Sequence, residues 1–247
     1  MTALALTDAQ WSAPCVALGS DVLCVGTPIA LAGYTRTVQI HELPWLHAAL
    51  TGALGRGHDR RPGVRVADWS LLPWACPSGW AAAWWSEADA AAVASTVRPA
   101  RVGRVDVQLA LGARTRVHVP PADAPGVHLV RLTLHTPMVI SATQRDGAKR
   151  SRASATSETM TSAVWSIARK LRVQPEAVAC SVLDDRTHVE HVGYLGKMGR
   201  LSGLVGTVDV ACNAPARWLI ECASRGLGLG ARTAFGCGRV VGVTVSR

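Results

Sequence analysis

Five of the thirteen residues in GLGLGARTAFGCG, from Gly226 to Gly238, are glycine. Glycine lets the backbone take φ > 0 and come close to a ligand, and successive N–H groups in such a loop can form a nest that binds anions. Arg232 lies inside the run and Arg239 follows it, so the chemistry expected of this segment is recognition of an anionic group. It is not a dinucleotide fingerprint, which follows a strand and opens a helix. Here helix-like residues precede and strand-like residues follow. The G-K-[ST] of a P-loop is also missing. Without its surroundings the run reads equally well as a tight helix-to-strand connection.

Charge supports an anionic partner. Lys plus Arg number 26 against 17 Asp plus Glu, a net of +9, and only three of the cations are lysine. Arginine forks onto phosphate bidentately and stacks on bases, which suits a polyanion, although a GC-rich genome would raise arginine and alanine together. Placement discriminates better than the total. Residues 55–65 carry +3, with Arg56, Arg60 and Arg61 among the cations; residues 145–172 carry +5; residues 217–247 carry +4; the remainder sums to −3. Such concentration reads as an electrostatic footprint, against the plainer alternative of solvated faces.

Several classes drop out. The chain is 49% apolar over 247 residues, which excludes intrinsic disorder and allows one sizeable core or two small domains. No stretch approaches the roughly 18 apolar residues of a membrane span, and the N-terminus lacks the pattern of a secretory signal, so no membrane partner is expected and the location expected is cytoplasmic. The seven cysteines are scattered and never spaced C-x-x-C. They read as reduced, buried small hydrophobes, with neither a disulfide framework nor a metal site.

Elements that would position these residues follow from the pattern. Asp21–Leu31 and His128–Ile140 are strand-like and share a Thr-Pro near the end, at Thr27-Pro28 and Thr136-Pro137. Leu43, Leu46, Leu50 and Leu54 recur at helical spacing, with Pro44 in the first turn and Gly55 at the end. A tryptophan-rich stretch follows, in which Trp80 and Trp84 stand at i and i+4 of an alanine-rich, helix-like run, a pattern that favours core over base stacking. The strand-like RVDVQLAL and TRVHV come next, then a Pro-, Asp- and Gly-containing linker at 120–126. Beyond it Val130, Leu132 and Leu134 alternate as a strand; a polar basic segment leads to a helix from Thr159 with Met160, Val164, Ile167 and Leu171 on one stripe; two more strands, HVEHVGYL and GLVGTVDVAC, precede a helix capped by Asn213 and ended by Gly226; RVVGVTV closes the chain. Strand, helix, strand, strand, helix, strand is the ferredoxin-like order. The fold expected is therefore α+β, tandem ferredoxin-like (βαββαβ): residues 1–119 form a divergent N-terminal domain with a Trp-rich insert, 120–126 the linker, and 127–247 a C-terminal domain with a basic insert at 143–172 and the glycine-rich loop at 226–238.

In that setting, Gly228-x-Gly230-x5-Gly236-x-Gly238 between the last helix and the last strand resembles the hallmark loop of the RAMP superfamily of CRISPR proteins, in particular the CRISPR repeat-processing endoribonucleases. The resemblance covers Val127 to Arg247 and, more loosely, Asp21 to Arg56; the basic insert and early arginines are similar to the type IV-associated branch. It implies binding of a crRNA repeat stem-loop and metal-independent cleavage of precursor crRNA. The substrate's 2′-hydroxyl would attack the adjacent phosphodiester, leaving a 2′,3′-cyclic phosphate and a 5′-hydroxyl. It also implies retention of the mature crRNA within a CRISPR effector complex of further subunits, and no metal or small-molecule cofactor.

Family members often supply a general base or acid, commonly histidine, from the region after the first strand or on the first helix. This chain offers Tyr34, Arg36, His41 and His47 there, with His41 also placed to cap a helix and His47 to be structural. His58, His118, His188 and His191 are further candidates. Expected opposite them are Arg232 and Arg239. For the stem, Arg145, Lys149, Arg150 and Arg152 are the expected backbone contacts, with Arg169, Lys170 and Arg172 secondary, because A-form RNA is read through phosphates and shape. Two alternatives stand beside this reading: a non-catalytic crRNA-binding subunit of the same superfamily, and an oligomeric metabolic enzyme of ferredoxin-like architecture that binds a small anion.

Overall fold

The computed structural model describes residues 22–53, 69–73, 76–84, 97–119, 125–140, 154–171, 178–194, 200–231, 233 and 236–246. The first half is built on β1 (Val22–Ala32), a 3-10 turn (Ile40–Glu42), α1 (Leu43–Ala53), β2 (Trp69–Pro73), β3 (Trp80–Trp84), β4 (Arg98–Val102), β5 (Val105–Leu111) and β6 (Thr115–Val119). β1 is central: β3 pairs along one edge, while β5 and then β6 pair along the other, interrupted at 112–114. With β2 outside β3, the order β2-β3-β1-β5/β6 is ferredoxin-like, and β4 extends the sheet beyond β5. α1 lays Leu43, Leu46 and Leu50 on Val25, Ile29, Val107 and Leu109, as the leucine spacing predicts.

The second half consists of β7 (His128–Met138), α2 (Ser157–Leu171), β8 (Cys180–Tyr194), β9 (Arg200–Cys212), α3 (Ala214–Cys222) and β10 (Val240–Ser246), with sheet order β10-β7-β9-β8. Strands and helices alternate in the βαββαβ order read from the sequence. Val130, Leu132, Leu134, Val208, Val210 and Cys212 bury one face under Met160, Val164, Ile167, Leu219 and Cys222, a single apolar core of the kind alternation builds. Asn213 caps α3, its side chain accepting from the Ala216 N–H at 3.1 Å. The chain then continues past Cys222 through one wide turn, Ala223–Leu227. Cys180, Cys212, Cys222 and Cys237 are buried. No helix among the described residues is long and apolar enough to cross a membrane.

Several elements differ from the sequence expectation, β2 and β4 being strands it did not name. Trp80–Trp84 is a fully buried strand rather than a helix; it is covered on both faces, so it shows no alternation. Trp80 donates its indole N–H to the Val38 carbonyl at 2.8 Å, and Trp84 is buried with it, so both are core. β8 begins at Cys180, eight residues before the expected start, because a bulge after Val182 breaks its pattern. α2 begins at Ser157, where Thr156 and Thr159 bond each other's N–H groups, Thr159 N to Thr156 Oγ1 at 3.2 Å and Thr156 N to Thr159 Oγ1 at 2.6 Å. The Trp218 indole N–H, on α3, meets the Val119 carbonyl of β6 at 3.2 Å and ties the halves together.

Candidate active site

The segment after β1 folds back onto one buried carboxylate. Glu42, 3% exposed, accepts from the Tyr34 hydroxyl at 2.8 Å, from Arg36 Nη1 at 2.9 Å and Nη2 at 2.5 Å, and from the Gln39 N–H at 2.9 Å. The Arg36 guanidinium also stands 5.4 Å from the centroid of the Tyr34 ring. Burial pushes the Glu42 carboxyl up, but the hydrogen bonds from Gln39, Tyr34 and Arg36 and the arginine's charge outweigh it and hold the group below its ordinary range. Tyr34 is shifted the other way: burial, then its bond to Glu42 and that carboxylate's charge, raise the phenol despite Arg36. Tyr34 therefore serves as a fixed donor rather than as a base. Arg36, with its side chain 57% exposed, is held but still open to a phosphate.

His41 is exposed on the 3-10 turn beside Glu42. His47 is 4% exposed. It lies on the buried face of α1 with Leu43, Leu46 and Leu50. Glu42 was not among the sequence candidates. In the sequence it is only an acid ahead of a helix, and its role comes from Tyr34 and Arg36 folding back on it.

The described residues of the glycine-rich loop turn inward. Gly228, Gly230, Gly236 and Gly238 are all buried. The N–H groups of Gly228, Leu229, Ala231, Gly236 and Gly238 go to the carbonyls of Ala223, Gly238, Val139, Thr233 and Pro137. Thr136, from the Thr-Pro end of β7, accepts from the Arg239 N–H at 2.8 Å and donates to the Gly236 carbonyl at 2.6 Å. The loop thus packs as a plug between the halves. A Cβ on Gly236 would stand 2.5 Å from Leu43 Cδ1 of α1, and the Ser70 hydroxyl of β2 reaches the Gly226 carbonyl at 2.6 Å. Its glycines permit close approach to protein, at the junction where the Tyr34, Arg36 and Glu42 cluster begins α1.

Two basic candidates are likewise drawn into this packing. Arg239 Nη1 donates to the Ser224 carbonyl at 2.9 Å. Lys170, half-buried on α2, donates to Thr233 Oγ1 at 2.9 Å and the Gly230 carbonyl at 3.3 Å, beside a Ser166 hydroxyl 3.0 Å from the same carbonyl. Both are half-buried and bonded to neighbouring backbone carbonyls, whereas Arg169 is exposed. Burial and then the charge of Arg169 push Lys170 down to about 7. Between that value and the ordinary 10.5 the unfolded chain holds a proton that the folded one lacks, so stability is expected to rise with pH across this window. Lys170→Met should flatten the rise, as read by denaturant midpoints at pH 6, 8 and 10.

Arg56, Arg60, Arg61, Arg145, Lys149, Arg150, Arg152, Arg172 and Arg232 lie outside the described residues, as do His58 and Phe235. The structure adds a cationic region the segment tally hid. Arg98, Arg101, Arg104, Arg114 and Arg116 are all exposed on β4, β5, β6 and their turns, against Asp106, which Arg101 meets at 3.6 Å. RPARVGR and RTR were the signal; the acids elsewhere in the remainder masked it. His118 and His188 are exposed on β6 and β8.

No family model and no curated protein matches the chain. Solved structures do. The Cas6 (TTHB231) product complex, a Thermus thermophilus protein, aligns with TM-score 0.58 at 13% identity over 90% of this chain and 99% of that one. Cas6b aligns with TM-score 0.55 at 10% identity over 90% and 99%. A RAMP protein described as binding different RNA substrates aligns with TM-score 0.51 at 10% identity over 92% and 100%. The chain thus has the tandem ferredoxin-like fold of the CRISPR-associated Cas6 and RAMP proteins.

Proposed function

We propose that this chain is a cytoplasmic endoribonuclease that binds the stem-loop of a CRISPR repeat, cuts precursor crRNA without a metal ion, and holds the product for an effector complex. The observation that carries this reading is the position of the Tyr34, Arg36 and Glu42 cluster, with exposed His41, at the junction closed by the glycine-rich loop, in a fold shared with Cas6 proteins over 90% of this chain. The chemistry needs little from the protein. The 2′-hydroxyl of the substrate forms the new bond to phosphorus as the bond to the 5′-oxygen breaks; a base takes the first proton, an acid supplies the second, and cations stabilise the crowded phosphorane. Arg36, aimed by Glu42, and Tyr34, kept protonated, suit the stabilising role; His41 suits proton transfer.

A second reading, a crRNA-binding subunit that does not cut, draws support from the burial of His47 and the engagement of Tyr34 with Glu42. A repeat hairpin carrying one 2′-deoxynucleotide before the scissile phosphate separates the two. The nuclease should bind it as tightly as the all-ribose strand and leave it whole while cutting the latter; equal survival of both strands supports the scaffold. For binding, single alanine substitutions at Arg145, Arg150 or Arg152 should each lower the slope of log K against log salt by about one unit. Weak, salt-insensitive binding by the wild type overturns both readings and favours a small-anion enzyme.

A further inference from the structure

β7 follows β9 only as far as Met138 opposite Leu204, whereas β8 and β9 stay paired to Tyr194 and Arg200. Residues 190–194 and 200–203 therefore run past the sheet as a two-stranded ribbon. On it His191 stands opposite Ser202, with Nδ1 2.7 Å from the serine Oγ, and the histidine is exposed. Val189 packs against the core and Leu204 is buried in it. Alternation along each strand puts His191 and Ser202 on that same face, which carries α2, α3 and the glycine-rich loop. At the ribbon's base Gly203 lies so close to β7 that a Cβ there would be 2.8 Å from the Met138 carbonyl, and the residue just after β7, Val139, bridges to Ala231 of the loop. The 3-10 turn that holds His41 and Glu42 packs against β8. Ribbon and loop thus meet at one end of the second sheet, and the turn packs against the same strand, β8.

We propose that His191, its ring fixed by Ser202, is the proton donor to the leaving 5′-oxygen of an RNA strand laid across this junction; the inference rests on the nuclease reading above. With both ring nitrogens protonated, Nδ1–H is held on the serine oxygen and Nε2–H is left for the substrate. As the 2′-oxygen loses its proton to a base, for which His41 is exposed on the 3-10 turn, and bonds to phosphorus, the phosphorus–O5′ bond breaks. Its electron pair stays on O5′, which takes the Nε2 proton. The imidazole is left neutral and regains a proton from water.

Single-turnover cleavage by the full chain, with a repeat hairpin and with the same hairpin carrying sulfur in place of O5′ at the scissile bond, tests this, because a thiolate leaves without a proton. His191→Ala should cut the normal RNA about 100- to 1000-fold more slowly than wild type and the sulfur-bridged RNA within about threefold of it. His191→Asn, which keeps a polar partner for Ser202, should behave the same way and guards against a ribbon that fails to form. If both variants cut the normal RNA at the wild-type rate, or lose both substrates equally, the proposal is overturned and the nuclease reading stands. If wild type cuts neither RNA, the nuclease reading itself fails and the proposal falls with it.

Discussion

Gly238→Ala is expected to lower stability by more than about 4 kcal/mol, which for a chain of this size is a fall of about 8 to 16 °C in melting temperature. The residue has φ +71°, where an alanine costs about 1 to 2 kcal/mol before any contact is counted. Its Cβ would then stand 1.8 Å from the Leu229 carbonyl oxygen, an atom that is backbone and cannot swing aside. Two bonds depend on this approach: Leu229 N–H to the Gly238 carbonyl at 2.7 Å, and Gly238 N–H to the Pro137 carbonyl at 2.9 Å. Gly126→Ala is the control, since Gly126 also has positive φ but meets nothing within 4 Å, and it should cost only the backbone strain. Thermal unfolding followed by circular dichroism checks both. A Gly238→Ala protein that melts within 2 °C of wild type would show that the loop does not close on Leu229.

The second large effect is expected at Glu42. Glu42→Ala removes the acceptor shared by Tyr34, Arg36 and Gln39, and hydrogen bonds to a charged group are worth about 1.5 to 3 kcal/mol each when fully buried. Arg36 is more than half exposed, so its share is screened, and a total loss of about 2 to 3 kcal/mol is expected. The consequence for function is larger. Misplacing a stabilising cation by about 1 Å costs about 100-fold in rate, so on the proposed nuclease reading cleavage should fall by that factor while RNA affinity changes little. Linkage gives an independent check. The Glu42 carboxyl is depressed from an ordinary value of 4.5, so its contribution is fully present above that value and is lost as pH falls through the lower folded one. Urea midpoints from pH 7 down to 3 should therefore converge for wild type and Glu42→Gln. A constant gap across that range would mean that Glu42 does not carry the charge the cluster requires.

The second half of the fold was legible because its strands bury one face. Val130, Leu132 and Leu134, then Val208, Val210 and Cys212, alternate as half-buried strands must, and Asn213 sits where a helix needs an acceptor. Trp80–Trp84 misled for the opposite reason. WAAAW is rich in the best helix former, and burial on both faces erases the period of two that marks a strand. β4 was missed because a short outer strand carrying Pro99 between arginines has little apolar signal of its own. At the site, the resemblance to the CRISPR repeat-processing family pointed to Tyr34 and Arg36 but not to Glu42, whose burial depends on a chain reversal over six to eight residues. Nor can glycine spacing say whether N–H groups point at a ligand or at the protein's own carbonyls. In this loop the bonded ones turn inward, to the carbonyls of Ala223, Gly238, Val139, Thr233 and Pro137.

Incubation of the wild-type chain with a CRISPR-repeat hairpin RNA in excess EDTA, with the fragment ends read by mass spectrometry, tests the proposed chemistry most directly. One cut, leaving a 2′,3′-cyclic phosphate on the upstream fragment and a 5′-hydroxyl on the downstream one, is the expected result. RNA that is bound but intact, or ends bearing a 3′-hydroxyl and a 5′-phosphate, would contradict attack by the substrate's own 2′-hydroxyl at the junction of the two halves.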